Sequence, residues 1–160
     1  MPLCVADGKL EMTTDKAPPL EECNCLVVRQ AARHVTQFYD RHLAPVGLRT
    51  TQFSILARLR RHGVMTIKAL SEEMVMDRTT LGRNILPLER DGLISIEPGR
   101  TDRRSKELRL TKAGLEKLRS AYQGWKDAQA GFAAAFGQER TVGLRAILHE
   151  VTATDLSMDA

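Results

Sequence analysis

The side chains best suited to chemistry in this 160-residue chain lie between residues 77 and 111. Hydroxyl, amide and guanidinium groups gather first, and these are the groups that meet phosphates and base edges. A second cluster follows, with four cations and a single acid between residues 100 and 106. The first cluster contains Arg78, Thr79, Thr80, Arg83 and Asn84, and the second contains Arg100, Asp102, Arg103, Arg104 and Lys106. Both clusters predict contact with nucleic acid rather than catalysis.

A helix is predicted to carry the first cluster. Asp77 is a good N-cap, because its carboxylate can accept from backbone N–H groups that are unpaired in a first turn. Leu81, Ile85 and Leu88 recur at spacings of four and three, which predicts one buried stripe. Gly92 predicts the end of the helix. The polar side chains then lie largely on the other faces.

A hairpin is predicted to carry the second cluster. The segments LISIE (93–97) and KELRL (106–110) alternate with period two, as a two-stranded ribbon does. Glu97, Pro98 and Gly99 predict a turn, and the cations crowd its tip. One interpretation is a solvated hairpin whose charges keep a sheet edge soluble. We favour a winged helix, in which a recognition helix enters the major groove and a basic wing reaches the backbone or minor groove.

A short helix upstream completes the motif. Thr66 predicts its N-cap, and Ile67, Leu70 and Met74 predict its buried stripe. Two short helices joined this tightly form a helix-turn-helix.

Long helices flank this motif on both sides. Residues 20–43 carry apolar side chains at steps of three and four, as a coiled-coil seam does. A similar stripe runs from Thr111, a predicted N-cap, to Phe136. A final helix is marked by Leu144, Ile147, Leu148 and Val151. Because a winged helix does not need so much apolar surface, we expect a homodimer; a wholly intramolecular core is the alternative.

The run GLISIEPGRTDRRSKELRLTKAG (92–114) resembles the wing of the MarR family of bacterial transcriptional regulators. The shared marks are Gly-Leu-Ile after the recognition helix, Asp-x-Arg at the wing tip and Leu-Thr-x-x-Gly entering the next helix. The resemblance extends from about residue 20 to near the C-terminus. It places Arg104 at the family's wing arginine, entering the minor groove, with Asp102 holding it or a neighbour.

The predicted fold is therefore mainly α with a small β-hairpin wing (α+β). It is a winged helix-turn-helix flanked by long N- and C-terminal dimerisation helices. We assign a mobile arm to residues 1–19 and an N-terminal dimerisation helix to 20–47. The winged helix-turn-helix DNA-binding domain is assigned to 48–111, and C-terminal dimerisation helices to 112–158.

The expected function is regulation of transcription by a homodimer bound to double-stranded DNA. Two recognition helices would meet a pseudo-palindromic operator with half-sites about 10 bp apart. Arg83 would pair with guanine or clamp a phosphate. The family resemblance implies repression that a small phenolic or other anionic ligand relieves. Candidate ligand residues are Arg29, Arg33, His34, Tyr39 and His42.

The cysteines suggest an alternative, a peroxide- or thiol-sensing repressor. Cys23 and Cys25 open the first long helix. By its spacing to Gln52, Cys25 matches the sensor cysteine of the organic-hydroperoxide repressors within the family, and Tyr39 matches one tyrosine that polarises it. The match is incomplete, since Thr50 stands at a second tyrosine position and Arg29 at another aromatic position. A free cysteine on an apolar seam is more simply a small hydrophobe.

Composition narrows the remaining classes of function. A net charge of +4 permits an anionic partner. No apolar run approaches a membrane span, and the N-terminus lacks the apolar core of a signal peptide, so we expect a cytoplasmic protein without a membrane partner. We find no nucleophile motif, phosphate-cradling loop, paired acids or metal-ligand spacing, and expect no enzyme, cofactor or metal. A protein–protein module built on a winged helix is the more remote alternative; a cationic wing argues against it.

Overall fold

The computed structural model describes residues 19–100 and 102–156. Apart from Pro19, the arm assigned to residues 1–19 lies outside the described residues. The chain divides into two compact units, one ending at His34 and one beginning at Val35. The predicted fold class is confirmed, because helices dominate and the only sheet within the described residues is small.

The first long helix begins later than the sequence predicts. Residues Leu20–Glu22 form a separate 3-10 turn, and helix α1 spans Asn24–Leu43. Cys23 separates them, because its extended backbone (φ −75°, ψ 105°) cannot continue a helix. The predicted start at Leu20 is therefore wrong by four residues.

The second unit contains the helix-turn-helix, the wing and the C-terminal helices. It begins with the end of α1 and a 3-10 turn (Ala44–Val46). The elements that follow are α2 (Thr50–His62), β1 (Met65–Thr66), α3 (Ile67–Glu73), α4 (Arg78–Arg90), β2 (Ile94–Pro98), β3 (Lys106–Leu110), α5 (Lys112–Phe136) and α6 (Gln138–Ala153). The predicted caps are present: the side chains of Thr66, Asp77 and Thr111 each accept from a backbone N–H three residues on. These caps satisfy donors that a helix start leaves unpaired.

The predicted stripe of α4 lies in the hydrophobic core. Leu81, Ile85 and Leu88 are 0–2% exposed, and they pack in one cluster with fully buried leucines of α2 and α3. Since full burial of a leucine stabilises a fold by about 1.5–3 kcal/mol, this contact fixes the rotation of α4 about its axis.

The sheet has three strands rather than the predicted two. Its order is β1-β3-β2 and every pairing is antiparallel. Leu108 of β3 lies opposite Ile96 on one side and Met65 on the other. Two residues are too few to show a period in the sequence, so β1 arises only through its pairing with β3.

Close backbone packing joins α5 to the preceding elements. A Cβ at Gly114 would collide with the carbonyl oxygen of Leu93, so glycine lets α5 begin against the entrance to β2. Trp125 stacks on Phe53 of α2 with ring centroids 5.9 Å apart. By contrast, α6 leaves Val142, Ile147, Leu148 and Val151 between 40% and 59% exposed.

The turn of the helix-turn-helix contains a strained residue. Helix α3 ends in a Schellman motif, in which Met76 N–H donates to Ser71 O (2.9 Å) and Val75 N–H donates to Glu72 O (3.1 Å). Val75 occupies the left-handed position with φ +48°, where glycine is favoured and a β-branched side chain is not. Helix α4 ends in the same pair of hydrogen bonds with Gly92 at that position.

We expect Val75→Gly to stabilise the protein by about 0.5–1 kcal/mol. The left-handed conformation costs an L-residue about 1–2 kcal/mol, which glycine avoids. The greater flexibility of glycine in the unfolded chain offsets about 0.5–1 kcal/mol of this stabilisation. Val75 is 74% exposed, so little buried contact is lost. Urea denaturation would measure the change. Val75→Ala is the control, because it keeps a Cβ and should show less than half the gain; destabilisation by Val75→Gly would contradict the assignment of strain.

Candidate nucleic-acid interface

The start of α4 is held by a hydrogen-bonded cap. The Asp77 carboxylate accepts from the backbone N–H of Thr80 at 2.8 Å and from its hydroxyl at 2.5 Å. The hydroxyl bond first, and then the backbone bond, lowers the pKa of the Asp77 carboxyl from its ordinary value, because both stabilise the charged form. The Thr80 hydroxyl therefore donates its proton to the cap of its own helix.

Asn84 is also engaged within α4. Its amide nitrogen donates to the carbonyl oxygen of Thr80 at 2.8 Å, one turn back. Of the five polar residues predicted for this helix, the structure thus places Thr80 and Asn84 on a hydrogen-bonded flank. Arg78 is exposed in the first turn.

The outward face of α4 lies opposite the buried stripe. Thr79, Arg83, Leu86 and Arg90 recur at spacings of four, three and four, and all are exposed. The Arg90 guanidinium is 3.0 Å from the Asp91 carboxylate. Within the described residues Arg83 forms no ion pair, so its guanidinium is available to a partner.

Hydrogen bonds shape the tip of the wing. The Gly99 N–H donates to Ser105 O (2.8 Å), and Ser105 donates to Asp102 O through both its N–H (3.0 Å) and its hydroxyl (2.7 Å). The Asp102 carboxylate accepts from the backbone N–H of Arg104 at 2.9 Å. A Cβ at position 99 would collide with the Ser105 hydroxyl, so the turn requires glycine there. Asp102 thus positions the main chain of Arg104.

The wing cations are unpaired among the described residues. Arg100, Arg103, Arg104 and Lys106 are exposed, and no ion pair of the described ranges engages them. Arg109 differs: it lies in β3, only 25% exposed, and contacts Glu97 (3.4 Å) and Glu107 (3.1 Å). The wing therefore contains one structural arginine and a tip of free positive charge.

A groove lies between α3, α4 and the wing. It measures about 510 Å³ and is lined by cations from all three elements, including Lys68, Arg78 and Arg104. Lys68 was not predicted, although its place in the first turn of α3 was a usable signal, since the first helix of a helix-turn-helix crosses the DNA backbone. Its ion pair with Glu72 is long (3.8 Å) and exposed, and such pairs hold a side chain weakly.

The ligand and sensor candidates divide between the two units. In the first unit Cys25, Arg29, Arg33 and His34 are exposed, while Cys23 is half-buried. The exposed thiol of Cys25 is unlike a cysteine that packs as a small hydrophobe.

In the second unit Tyr39 and His42 flank Phe38. The Phe38 ring lies 5.8 Å from that of Tyr39 and 4.7 Å from that of His42, and the His42 Nδ1–H donates to Phe38 O at 2.9 Å. Burial raises the pKa of the Tyr39 hydroxyl, and the positive charge of Arg145 offsets part of that rise. This small aromatic cluster therefore lies in the field of an arginine of α6.

The described residues contain neither a metal-binding cluster nor a helix that could span a membrane. No three or more His, Cys, Asp or Glu side chains of the ranges 19–100 and 102–156 are grouped so that they could hold a metal ion. None of the helices in these ranges is both long enough and apolar enough to span a bilayer.

This chain is similar to known transcriptional regulators. The model of the MarR family matches residues 48–106, from the approach to α2 to the start of β3. The crystal structure of the transcriptional regulator MosR of M. tuberculosis is 35% identical, with a TM-score of 0.71 over 84% of this chain and 98% of that chain. MosR in complex with DNA gives 36% identity and a TM-score of 0.68 over 81% of this chain and 98% of that chain.

Relatives with curated descriptions are more distant. The organic hydroperoxide resistance transcriptional regulator of Bacillus subtilis (strain 168) is 28% identical over 95 residues, which are 59% of this chain. The chain spans 65% of the length of this and the other curated relatives it matches. The proteins it resembles are transcriptional regulators rather than enzymes.

Proposed function

Because this chain belongs to the MarR family of transcriptional regulators, we propose that it regulates transcription by binding a pseudo-palindromic operator in double-stranded DNA. It would act in the cytoplasm as a homodimeric repressor. The observation that carries the proposal is the pairing of two surfaces: the outward face of α4 with Arg83, and a wing tip with four exposed cations. The relative MosR has a structure in complex with DNA.

The two surfaces suit different parts of a duplex. Helix α4 would lie in the major groove, where Thr79 and Arg83 meet base edges and a guanidinium can pair bidentately with guanine. Arg104 would enter the adjacent minor groove, since Asp102 fixes its main chain. Arg100, Arg103, Lys106 and the newly identified Lys68 would neutralise phosphates, which makes affinity fall steeply with salt.

The homodimer is supported by apolar surface that the chain leaves uncovered. Ile147 and Val151 form an exposed stripe on α6, and Leu144 and Leu148 lie beside them. In the first unit Leu20, Val27 and Val28 are about half exposed. Contiguous exposed apolar surface of this kind marks association sites. We propose that α1 and α6 pack on a second copy, which would set the spacing of the two recognition helices.

Release from DNA would follow binding of a small phenolic or other anionic ligand. Such a ligand can act only by binding one arrangement of the dimer more tightly than another. Tyr39 and His42 are the candidates in the second unit, because they are half-buried and the charge of Arg145 reaches Tyr39. Arg29, Arg33 and His34 are the exposed candidates in the first unit.

Replacing Arg104 by alanine tests the proposed wing contact. We expect weaker binding to the DNA upstream of the protein's own gene, because the proposed contact of one cation with the minor groove is lost. The slope of log affinity against log salt should fall by about one. Fluorescence anisotropy at several salt concentrations would measure both. Arg119→Ala, at an exposed arginine of α5, is the control and should bind normally; normal binding by Arg104→Ala would contradict the wing contact.

The oligomeric state tests the dimer. Light scattering should give twice the chain mass of 17.9 kDa. Ile147→Glu should shift the protein towards monomer, because a carboxylate would be buried unpaired in an apolar interface. Val64→Glu places the same charge at an exposed valine outside α6 and should leave the dimer intact. A wild-type monomer at micromolar concentration would refute this part of the proposal.

A second candidate function is peroxide sensing through Cys25. Two observations favour it: the Cys25 thiol is exposed near the start of a 20-residue helix, and one relative is an organic hydroperoxide resistance regulator. An organic hydroperoxide would oxidise the thiolate to a sulfenic acid and leave as the alcohol. The oxidised residue would then weaken the DNA-binding arrangement.

Low doses of cumene hydroperoxide distinguish this candidate from ligand release. If Cys25 is the sensor, wild-type protein leaves the DNA on treatment, Cys25→Ser stays bound, and dithiothreitol restores wild-type binding. Cys23→Ser, two residues away, is the matched control and should respond like wild type. Equal release of Cys25→Ser and wild type would remove Cys25 as the sensor.

A further inference from the structure

The packing of this chain does not require glycine at position 82 of the recognition helix α4. Gly82 lies in the interior of α4, where glycine is less favourable than alanine. A Cβ built there meets no described atom within 4 Å. Gly114 and Gly124 differ, because a Cβ at either would collide with a carbonyl oxygen of a neighbouring element. The packing of the chain therefore explains those two glycines but not Gly82.

An exposed leucine lies one turn further along the same side of α4. Leu86 is 59% exposed, whereas Leu81 and Leu88 of the same helix are buried. Residues four apart in a helix are neighbours on its surface. Gly82 and Leu86 therefore form a notch with the helix backbone as its floor and a leucine as its wall.

The notch opens into a groove between α4 and the wing. This groove measures about 380 Å³, and its apolar side includes Ile85 and Ile96. Arg103 and Arg104 of the wing line it as well. Of its two acids, Glu97 contacts Arg109 at 3.4 Å, and Glu89 lies at the C-terminal end of α4. An occupant must therefore be apolar where it meets Gly82 and Leu86, and anionic where it meets the wing.

We propose that the notch receives the 5-methyl group of a thymine in the operator. Duplex DNA meets both requirements, since its backbone is anionic and the thymine methyl is the apolar group that the major groove presents. Gly82 would let the base edge approach the helix backbone closely, and Leu86 would pack on the methyl. The inference rests on the proposed function and adds a base preference to it.

The length of α4 is compatible with this contact. Leu86 lies seven residues beyond Thr79, which is roughly 10 Å along a helix axis. The major groove is about 12 Å wide. Thr79, Arg83 and Leu86 can therefore meet successive base pairs of one groove, with Leu86 towards the side on which the wing lies.

Thymine-to-uracil replacement tests the proposal, because uracil pairs like thymine but lacks the methyl group. Wild-type protein would first select its tightest duplex from a random 24-bp pool, about the span of two half-sites and their flanks. Each thymine would then be replaced in turn. We expect one position in each half-site where uracil weakens binding about fourfold, as the transfer free energy of one methyl group implies.

Two variants test whether the notch causes the loss of binding at that position. Gly82→Ala should raise thermal stability, because alanine is the better helix former and the space is open, yet it should weaken binding and abolish the thymine–uracil difference. Leu86→Ala should also abolish the difference. Arg119→Ala on α5, which is also the control for the wing contact, lies outside the notch and should leave the difference unchanged.

The outcomes separate this inference from the function on which it rests. If wild type selects a duplex but uracil has no effect at any position, the notch is refuted and DNA binding stands. Persistence of the thymine–uracil difference in Gly82→Ala and Leu86→Ala would also refute it. If wild type selects no duplex, the proposed function fails and the notch fails with it.

Discussion

The burial of one stripe of α4 determines most of what this surface can do. Leu81, Ile85 and Leu88 are fixed in the core. Because the helix has a fixed period, their burial determines which residues of α4 point outward. Thr79, Arg83 and Leu86 face solvent because the three apolar residues face inward. A rotation of α4 by half a turn would bury Arg83 and expose the core leucines, at a cost far above thermal energy.

The ends of α4 are held as firmly as its middle. At its start the Asp77 carboxylate caps the first turn. At its end Gly92 permits the left-handed residue that turns the chain into β2. The Thr111 hydroxyl then donates to the carbonyl oxygen of Gly92 at 2.7 Å, and this bond connects the end of the recognition helix to the start of α5. The wing therefore emerges from a hydrogen-bonded junction rather than from a free loop.

In the described part of the chain, the wing contains both paired and unpaired arginines. Arg109 contacts two glutamates within the sheet, whereas the four cations at the wing tip have no acid partner among the described residues. Folding thus neutralises positive charge where the sheet must be stable and leaves it unneutralised where a polyanion can bind. The apolar stripe of α6 has a parallel role, since it leaves the single chain with surface suited to a second copy.

Local signals in the sequence determined the elements of this protein. The N-caps at Thr66, Asp77 and Thr111, the period of α4 and the alternation of β2 and β3 each depend on neighbouring residues, so they can be recognised without tertiary contacts. The wing motif and its family resemblance also lie within one short run. The same information located Arg83 and the wing cations.

Only the tertiary structure decided how distant residues share one surface. Strand β1 forms because β3 pairs with it, and Lys68 belongs with Arg78 and Arg104 because α3, α4 and the wing meet at one groove. The open space beside Gly82 likewise depends on where the side chains of other elements lie. Periodicity assigns a residue to a face, but contacts between elements far apart in sequence decide what that face meets.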